Sequence, residues 1–225
     1  MDLRQRDGLT CGPAAVVVAG ALLDPDYRAK LAQPAWFDAE QSRIHRAVNW
    51  VWPRRLGTTP MGIAGAVSVH SARYGVRYRW RLCRGLFGRR DRLADVLRVV
   101  GDGWPVAMLV GRFIPRHWVL IVDVSGEKLE CYEPSSGEVR SVEVDAVRRS
   151  RLSGLGFPRP FAFVKVRDAS ETAFSSRFQT RTLRSLLPDA SQRPSGLTAT
   201  ESTRFMWPFK EAVSFQVRVS HRRIL

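Results

Sequence analysis

The chain has 225 residues, of which 44% are hydrophobic and 10% aromatic, which is enough apolar surface for a packed domain and argues against a wholly disordered protein. Its net charge of +15 is carried almost entirely by arginine, whose codons are GC-rich, because only four of the 36 basic residues are lysine. The basic clusters lack the interleaved aromatic residues of single-strand-binding surfaces, so nucleic-acid binding is not expected. No apolar run approaches the ~20 residues that span a bilayer, and the N-terminus lacks the apolar core of a signal peptide. These features predict a cytoplasmic protein without a membrane span.

Helical patterns dominate the first half of the chain, and strand patterns the second. First-turn prolines and apolar residues at helical spacing predict helices over residues 13–23, 38–52, 60–73 and 92–100. Alternating or continuous apolar runs predict strands over residues 76–82, 105–110, 117–124, 129–133, 139–144 and 160–166. Helices followed by a meander of strands predict an α+β fold, in which N-terminal helices pack on a C-terminal antiparallel sheet.

The composition changes after residue 167, which marks the end of the predicted main domain at 1–167. Residues 168–204 are rich in Ser, Thr and Arg and poor in large apolar residues, which predicts a linker or a disordered segment. Residues 205–225 are apolar again and are treated as a C-terminal extension of unknown role. An edge strand, a partner-binding tail and an unpacked extension all remain open for it.

Three widely separated cysteines, Cys11, Cys83 and Cys131, form no CxxC pair and no Cys/His cluster with metal-ligand spacing. We therefore expect neither a metal nor a cofactor. Cys83 and Cys131 lie in strand-like runs and are predicted to be small buried side chains. Cys11 differs, because it lies in a Thr-Cys-Gly-Pro turn just ahead of the apolar run over residues 14–23. This places it at a helix N-terminus, where the helix dipole favours a thiolate, and makes it a candidate nucleophile.

A nucleophilic thiol needs a base and a group that orients the base. His117 opens an apolar strand, and Glu133 ends the next one. A hairpin turn centred at residue 125 would place the two directly opposite each other, roughly 4.5–5.5 Å apart at Cβ, so that the carboxylate could orient the imidazole. The alternatives are that His117 only caps a strand end and that Glu133 only flanks a turn.

The order of these motifs resembles a known family. Gln5 stands six residues before Cys11, His-Trp-Val-Leu-Ile follows at 117–121, and Glu-Pro-Ser-Ser-Gly at 133–137. This pattern is similar to that of the bacteriocin-processing peptidases, papain-like cysteine peptidase domains best known at the front of peptide exporters. The resemblance covers about residues 3–166 and implies the papain-like fold. Since no exporter segment follows, a role in bacteriocin export is not expected.

The resemblance also implies a role for each residue. Cys11 would be the nucleophile, His117 the general base and later the acid, and Glu133 the group that orients His117. The Gln5 carboxamide and the backbone N–H of Cys11 would form the oxyanion hole. Glu133 departs from the family, which usually has Asp there, and this opens the possibility of a weakened or repurposed site.

The leading hypothesis is a cysteine hydrolase that cleaves a peptide or isopeptide bond of a peptide or protein through a thioester acyl-enzyme. The same machinery would serve an acyl transferase or transpeptidase. A catalytically silent pseudo-peptidase that only binds peptide is the alternative from another class. The oligomeric state is left open.

Overall fold

The computed structural model describes residues 3–33, 35–49, 57–83 and 92–167. They fall in the first of the two units into which the chain divides, Met1–Thr172. The predictions for residues 168–204 and 205–225 lie outside the described residues. Within the described ranges, no helix combines the length and the hydropathy needed to cross a membrane.

The helices and strands follow the predicted order. The helices are α1 Cys11–Leu23, α2 Pro25–Ala29, α3 Trp36–Val48, α4 Pro60–Ser71, α5 Arg92–Gly101 and α6 Val144–Arg148. The strands are β1 Tyr78–Leu82, β2 Val106–Gly111, β3 Pro115–Ser125, β4 Lys128–Glu133, β5 Glu138–Glu143 and β6 Arg159–Val166. All four predicted helices and all six predicted strands are confirmed, with ends that differ by a few residues. Residues 50–52 of the helix predicted over 38–52 lie outside the described residues.

Two helices of five residues each, α2 and α6, were not predicted. Asp24-Pro25 follows directly on the predicted helix over residues 13–23, and it is also the beginning of α2. The Asp24 side chain accepts hydrogen bonds from the backbone N–H groups of Asp26 and Tyr27, and Pro25 occupies the first helical position. A helix this short has no apolar periodicity by which a sequence pattern could reveal it.

The six strands form one antiparallel sheet in the order β1-β6-β2-β3-β4-β5. Helix α1 packs against β3, α3 and α4, and every residue of α1 except Leu22 is buried. Burial on all sides explains why the sequence of α1 is apolar around its whole circumference. The predicted fold class, α+β with helices packed on an antiparallel sheet, is confirmed.

The register between β3 and β4 corrects the predicted pairing of His117 with Glu133. Leu120 lies opposite Tyr132, so the same register continued places Val119, two residues beyond His117, opposite Glu133. The turn lies later than predicted, and the irregularity between Ile121 and Asp123 reverses only one residue of that difference. A two-residue shift preserves the face of the sheet, so His117 and Glu133 are diagonal neighbours on one face.

Candidate active site

Cys11 is the first residue of α1 and is 4% exposed. The helix begins with the hydrogen bond from Ala14 N–H to the Thr10 carbonyl at 2.8 Å. The Thr10 side chain does not cap the helix, because its hydroxyl bonds to the backbone of Asp7 instead. First-turn N–H groups have no partner within a helix, so the amide of Cys11 has no acceptor within α1.

Thr58 lies between the helix that carries Cys11 and the strand that carries His117. Next to Cys11, Gly12 lies so close to the loop before α4 that a Cβ on it would be 3.0 Å from Thr58 Cβ. Next to His117, the Trp118 indole N–H donates to the Thr58 carbonyl at 3.0 Å. The absence of a side chain at Gly12 is therefore needed for the close approach of α1 to this loop, which in turn is bonded to β3.

His117 and Glu133 form a buried pair. His117 Nε2 and Glu133 Oε1 are 2.7 Å apart, and the two residues are 6% and 5% exposed. The Glu133 carboxylate also accepts the backbone N–H groups of Ser135 and Ser136, each at 2.9 Å. The turn after β4 thus holds the carboxylate with two amides while its Oε1 faces the imidazole.

The surroundings of this pair shift both titrations towards the charged forms. Burial by itself would raise the pKa of the Glu133 carboxyl, but hydrogen bonds from His117, Ser135 and Ser136 lower it to about 2. Burial would likewise lower the pKa of His117, but its hydrogen bonds with Cys11 and Glu133, and the charges of those groups, raise it to about 9. The ring is thus stabilised as an imidazolium between two acidic groups.

The Cys11 thiol lies close enough to the His117 ring to contribute to the raised pKa of the imidazole. Since Nε2 faces Glu133, the nitrogen left for the thiol is Nδ1. The ring of Phe157 stacks on the imidazole, with centroids 5.5 Å apart and an angle of 28° between the planes. The imidazole is therefore bonded to the carboxylate, close to the thiol, and covered by an aromatic ring.

Gln5 lies between the turn after β4 and the turn before α1. Its backbone N–H donates to the Pro134 carbonyl at 2.6 Å, and its carboxamide Nε2 donates to the Asp7 carbonyl at 2.8 Å. The same Asp7 carbonyl accepts the backbone N–H of Thr10, the residue before Cys11. The Gln5 amide is thus anchored at the approach to α1, and its role as an oxyanion donor stays a prediction.

The other two cysteines are in different surroundings. Cys131 is fully buried, as predicted, and burial raises the pKa of its thiol. Cys83 is half-buried rather than buried, because it follows the end of the edge strand β1. Within the described ranges, no group of three or more His, Cys, Asp and Glu side chains could hold a metal ion.

Sequence reasoning missed three parts of this site. The backbone amides of Ser135 and Ser136 carry no side-chain signal. Phe157 lies between β5 and β6 with no motif to mark it. Gln41 is fully buried beside Gln5, and its signal was present in the sequence: it occupies a core position of α3, in the same apolar stripe as Phe37 and Ile44.

A cleft of about 660 Å³ adjoins the site on the side of Gln5 and Ser135. Arg4 and Arg6 line its rim, and Phe37 contributes to its apolar lining. Neither Cys11 nor His117 lines the cleft.

No protein-family model matches the chain, and no curated protein matches it. Several solved structures are similar, among them two peptidases. One is a double glycine motif protease from an AMS/PCAT transporter in complex with the leader peptide, with 16% identity, a TM-score of 0.41, and coverage of 72% of this chain and 87% of that chain. The other is the peptidase domain of Streptococcus ComA, a bi-functional ABC transporter involved in a quorum sensing pathway, with 16% identity, a TM-score of 0.42, and coverage of 72% and 94%. Both are peptidase domains of transporters, the class that the sequence motifs resemble, and the likeness is distant.

Proposed function

We propose that the protein is a cysteine hydrolase that cleaves a peptide or isopeptide bond through a thioester acyl-enzyme. The observation that carries the proposal is the buried series of Cys11, His117 and Glu133, with the thiol at the start of α1. A buried ion pair is costly to form, and a base held in its charged form beside a thiol is typical of activated cysteine nucleophiles. A structural role alone would require neither the thiol nor its position at an uncapped helix N-terminus.

In the acylation half of the reaction, the Cys11 thiol gives its proton to His117 Nδ1, and the thiolate adds to the carbonyl carbon of the scissile bond. The carbonyl oxygen becomes an oxyanion, to which the Cys11 backbone N–H and the second hydrogen of Gln5 Nε2 donate. His117 then gives its proton to the nitrogen of the leaving amine as the C–N bond breaks. Glu133 accepts the Nε2–H throughout and keeps the ring in one orientation.

In the deacylation half, a water molecule adds to the thioester carbonyl and gives a proton to His117. The C–S bond breaks, the carboxylic acid product leaves, and Cys11 returns as the thiolate paired with the His117 imidazolium. An amine in place of water would give acyl transfer by the same steps. Product analysis with added amines separates the two reactions, since a transferase forms the amide product in preference to the acid.

Competitive alkylation with iodoacetamide tests the nucleophile. Cys83 is half-buried and serves as an internal standard, whereas Cys11 is 4% exposed. We expect peptide mapping to find Cys11 labelled first despite its lower exposure, because a thiolate and not a thiol is alkylated. Equal or faster labelling of Cys83 contradicts the proposal.

Peptide-library cleavage then tests the reaction itself. A Cys11→Ala variant is expected to lose cleavage entirely, and Cys83→Ala, the same substitution at the half-buried thiol, to retain it. Cleavage that survives in Cys11→Ala contradicts the catalytic role of Cys11. If Cys11 is selectively labelled in the wild type but Cys11→Ala retains full biological function, the protein binds peptide and is not a hydrolase.

A further inference from the structure

Gln41 makes hydrogen bonds to both neighbours of Gln5. Its Oε1 accepts the backbone N–H of Arg6 at 3.0 Å, and its Nε2 donates to the backbone carbonyl of Arg4 at 3.3 Å. Nε2 also donates to the Asp38 carboxylate at 3.3 Å. The side chain is 0% exposed, and both of its N–H groups and its oxygen are bonded to a backbone group or to a neighbour in α3.

The segment that carries Gln5 is held on two sides. On one side, the backbone groups of Arg4 and Arg6 bond to Gln41. On the other side, the N–H of Gln5 bonds to the Pro134 carbonyl. The carbonyl of Leu3 accepts the Tyr132 hydroxyl on that side as well. In an extended chain, the backbone groups of successive residues point to opposite sides. Gln41 therefore acts on one side as a neighbouring strand would, and the end of β4 with its turn acts on the other.

A polar side chain at this core position is not required for packing. Phe37 and Ile44 lie on the same buried face of α3, and an apolar residue at position 41 would avoid the cost of burying a carboxamide. A glutamine, unlike an apolar residue, bonds to the backbone of the segment at two points. These bonds fix the register of the segment, that is, which residue lies between the two bonded ones. That residue is Gln5.

We propose that Gln41 is a positioning residue that acts through Gln5, by fixing the backbone on both sides of the oxyanion donor. The inference rests on the proposed function, in which the Gln5 carboxamide donates to the oxyanion. An oxyanion donor is effective only when it is oriented before the charge develops, so a segment free to shift would lose part of this stabilisation.

Two reagents that need no knowledge of the natural substrate separate this role from a structural one. p-Nitrophenyl acetate acylates a thiolate through a tetrahedral oxyanion and releases p-nitrophenolate, forming a thioester. Iodoacetamide alkylates the same thiolate by displacement of iodide and forms no oxyanion. The ratio of the two rate constants at Cys11, measured in a Cys83→Ala background, reports oxyanion stabilisation and cancels changes in thiolate content.

We expect Gln5→Ala to lower this ratio about 100-fold, the usual effect of removing one oxyanion donor. Gln41→Met, which keeps the volume and removes the hydrogen bonds, should lower it roughly 10-fold, because a misplacement of about 1 Å can cost up to ~100-fold. The double variant should show the ratio of Gln5→Ala alone, because Gln41 has no effect once the group it positions is gone.

Two controls show what a structural effect alone would do. Ser42→Ala removes the contact of the Arg6 guanidinium with α3 but leaves both backbone bonds of Gln41 in place. Ser71→Ala removes a fully buried hydroxyl whose bond to the Val76 carbonyl is 2.8 Å, far along the chain from Gln5. Both should leave the ratio unchanged, whatever their effect on thermal stability.

If Gln41→Met does not fold, Gln41→Leu decides, because it also removes the hydrogen bonds to both neighbours of Gln5 and keeps the buried position apolar. A lowered ratio supports the inference. A wild-type ratio in the folded Gln41 variant, or losses that add in the double variant, overturns the inference and leaves the proposed function intact. A wild-type ratio in Gln5→Ala overturns both the inference and the oxyanion role of Gln5.

Discussion

Substitution of Glu133 by aspartate is the most informative single change at the candidate site. The family that the motifs resemble usually has Asp here, so Glu133→Asp would be expected on that ground to preserve or improve the site. The structure predicts the opposite. His117 and Glu133 are diagonal and not directly opposite neighbours, and diagonal positions are roughly 7–8 Å apart, a distance that only a long side chain spans.

The size of the effect follows from the geometry. Asp is one carbon–carbon bond shorter, about 1.5 Å, so a contact now 2.7 Å long would open to about 4 Å, beyond hydrogen-bonding distance. The amides of Ser135 and Ser136 would still hold the shorter carboxylate in the turn. A hydrogen bond to a charged group contributes about 1.5–3 kcal/mol, which corresponds to a decrease of roughly one to two units in the pKa of His117.

The assay is the pH titration of the His117 imidazole, followed by NMR. The midpoint of this titration should fall from about 9 by roughly one to two units in Glu133→Asp, because the imidazolium loses its bond to the carboxylate. The control is Glu138→Asp, the same substitution at the exposed residue paired with Glu133 across β4 and β5. A wild-type midpoint in Glu133→Asp would refute the reasoning, because the imidazolium would then not depend on this hydrogen bond.

Three further predictions address the base, the folding equilibrium and the packing of α1. His117→Gln should reduce alkylation of Cys11 at about pH 6 to the rate of an ordinary thiol in peptide mapping, because no base remains to take its proton. The pKa of Glu133 is lowered from 4.5 to about 2, so its contribution to stability is present above pH 4.5 and is lost as the pH falls towards 2; urea unfolding should show the stability difference between wild type and Glu133→Gln shrinking over that range. Gly12→Ala should lower the free energy of unfolding by about 1–3 kcal/mol, because its Cβ would crowd the loop before α4, whereas Gly65→Ala in α4, where a Cβ would meet nothing within 4 Å, should not.

The helices and strands that could be predicted are those whose apolar sequence patterns are long enough to identify them. α1 is an apolar run behind a first-turn proline, and β2 is a continuous apolar run bounded by glycines, so both were identified without tertiary information. α2 was missed because its signal, Asp24-Pro25, is the same one that ends α1. Propensity marks a boundary there but does not reveal that a new helix begins at it.

The candidate site was predictable to the level of residue types and not of their geometry. Chemistry and order singled out Cys11, His117 and Glu133, and the structure brings these three together. The register was wrong because β3 is apolar on both faces around the irregularity near Ile121, so no alternation marks where the pairing shifts. Gln41 could have been questioned from the sequence alone, since it stands in an apolar stripe, but its partners are backbone groups that no sequence pattern identifies.

The register and the identity of the acid at position 133 depend on each other. Had the hairpin turn been centred at residue 125, His117 and Glu133 would face each other directly, and a glutamate there would be longer than the separation requires. In the actual register the acid must reach diagonally to His117 Nε2 while it also accepts two amides of its own turn. Glutamate has the length for both. The length of glutamate therefore fits the register of this hairpin, and we expect Glu133 to orient His117 without loss of strength.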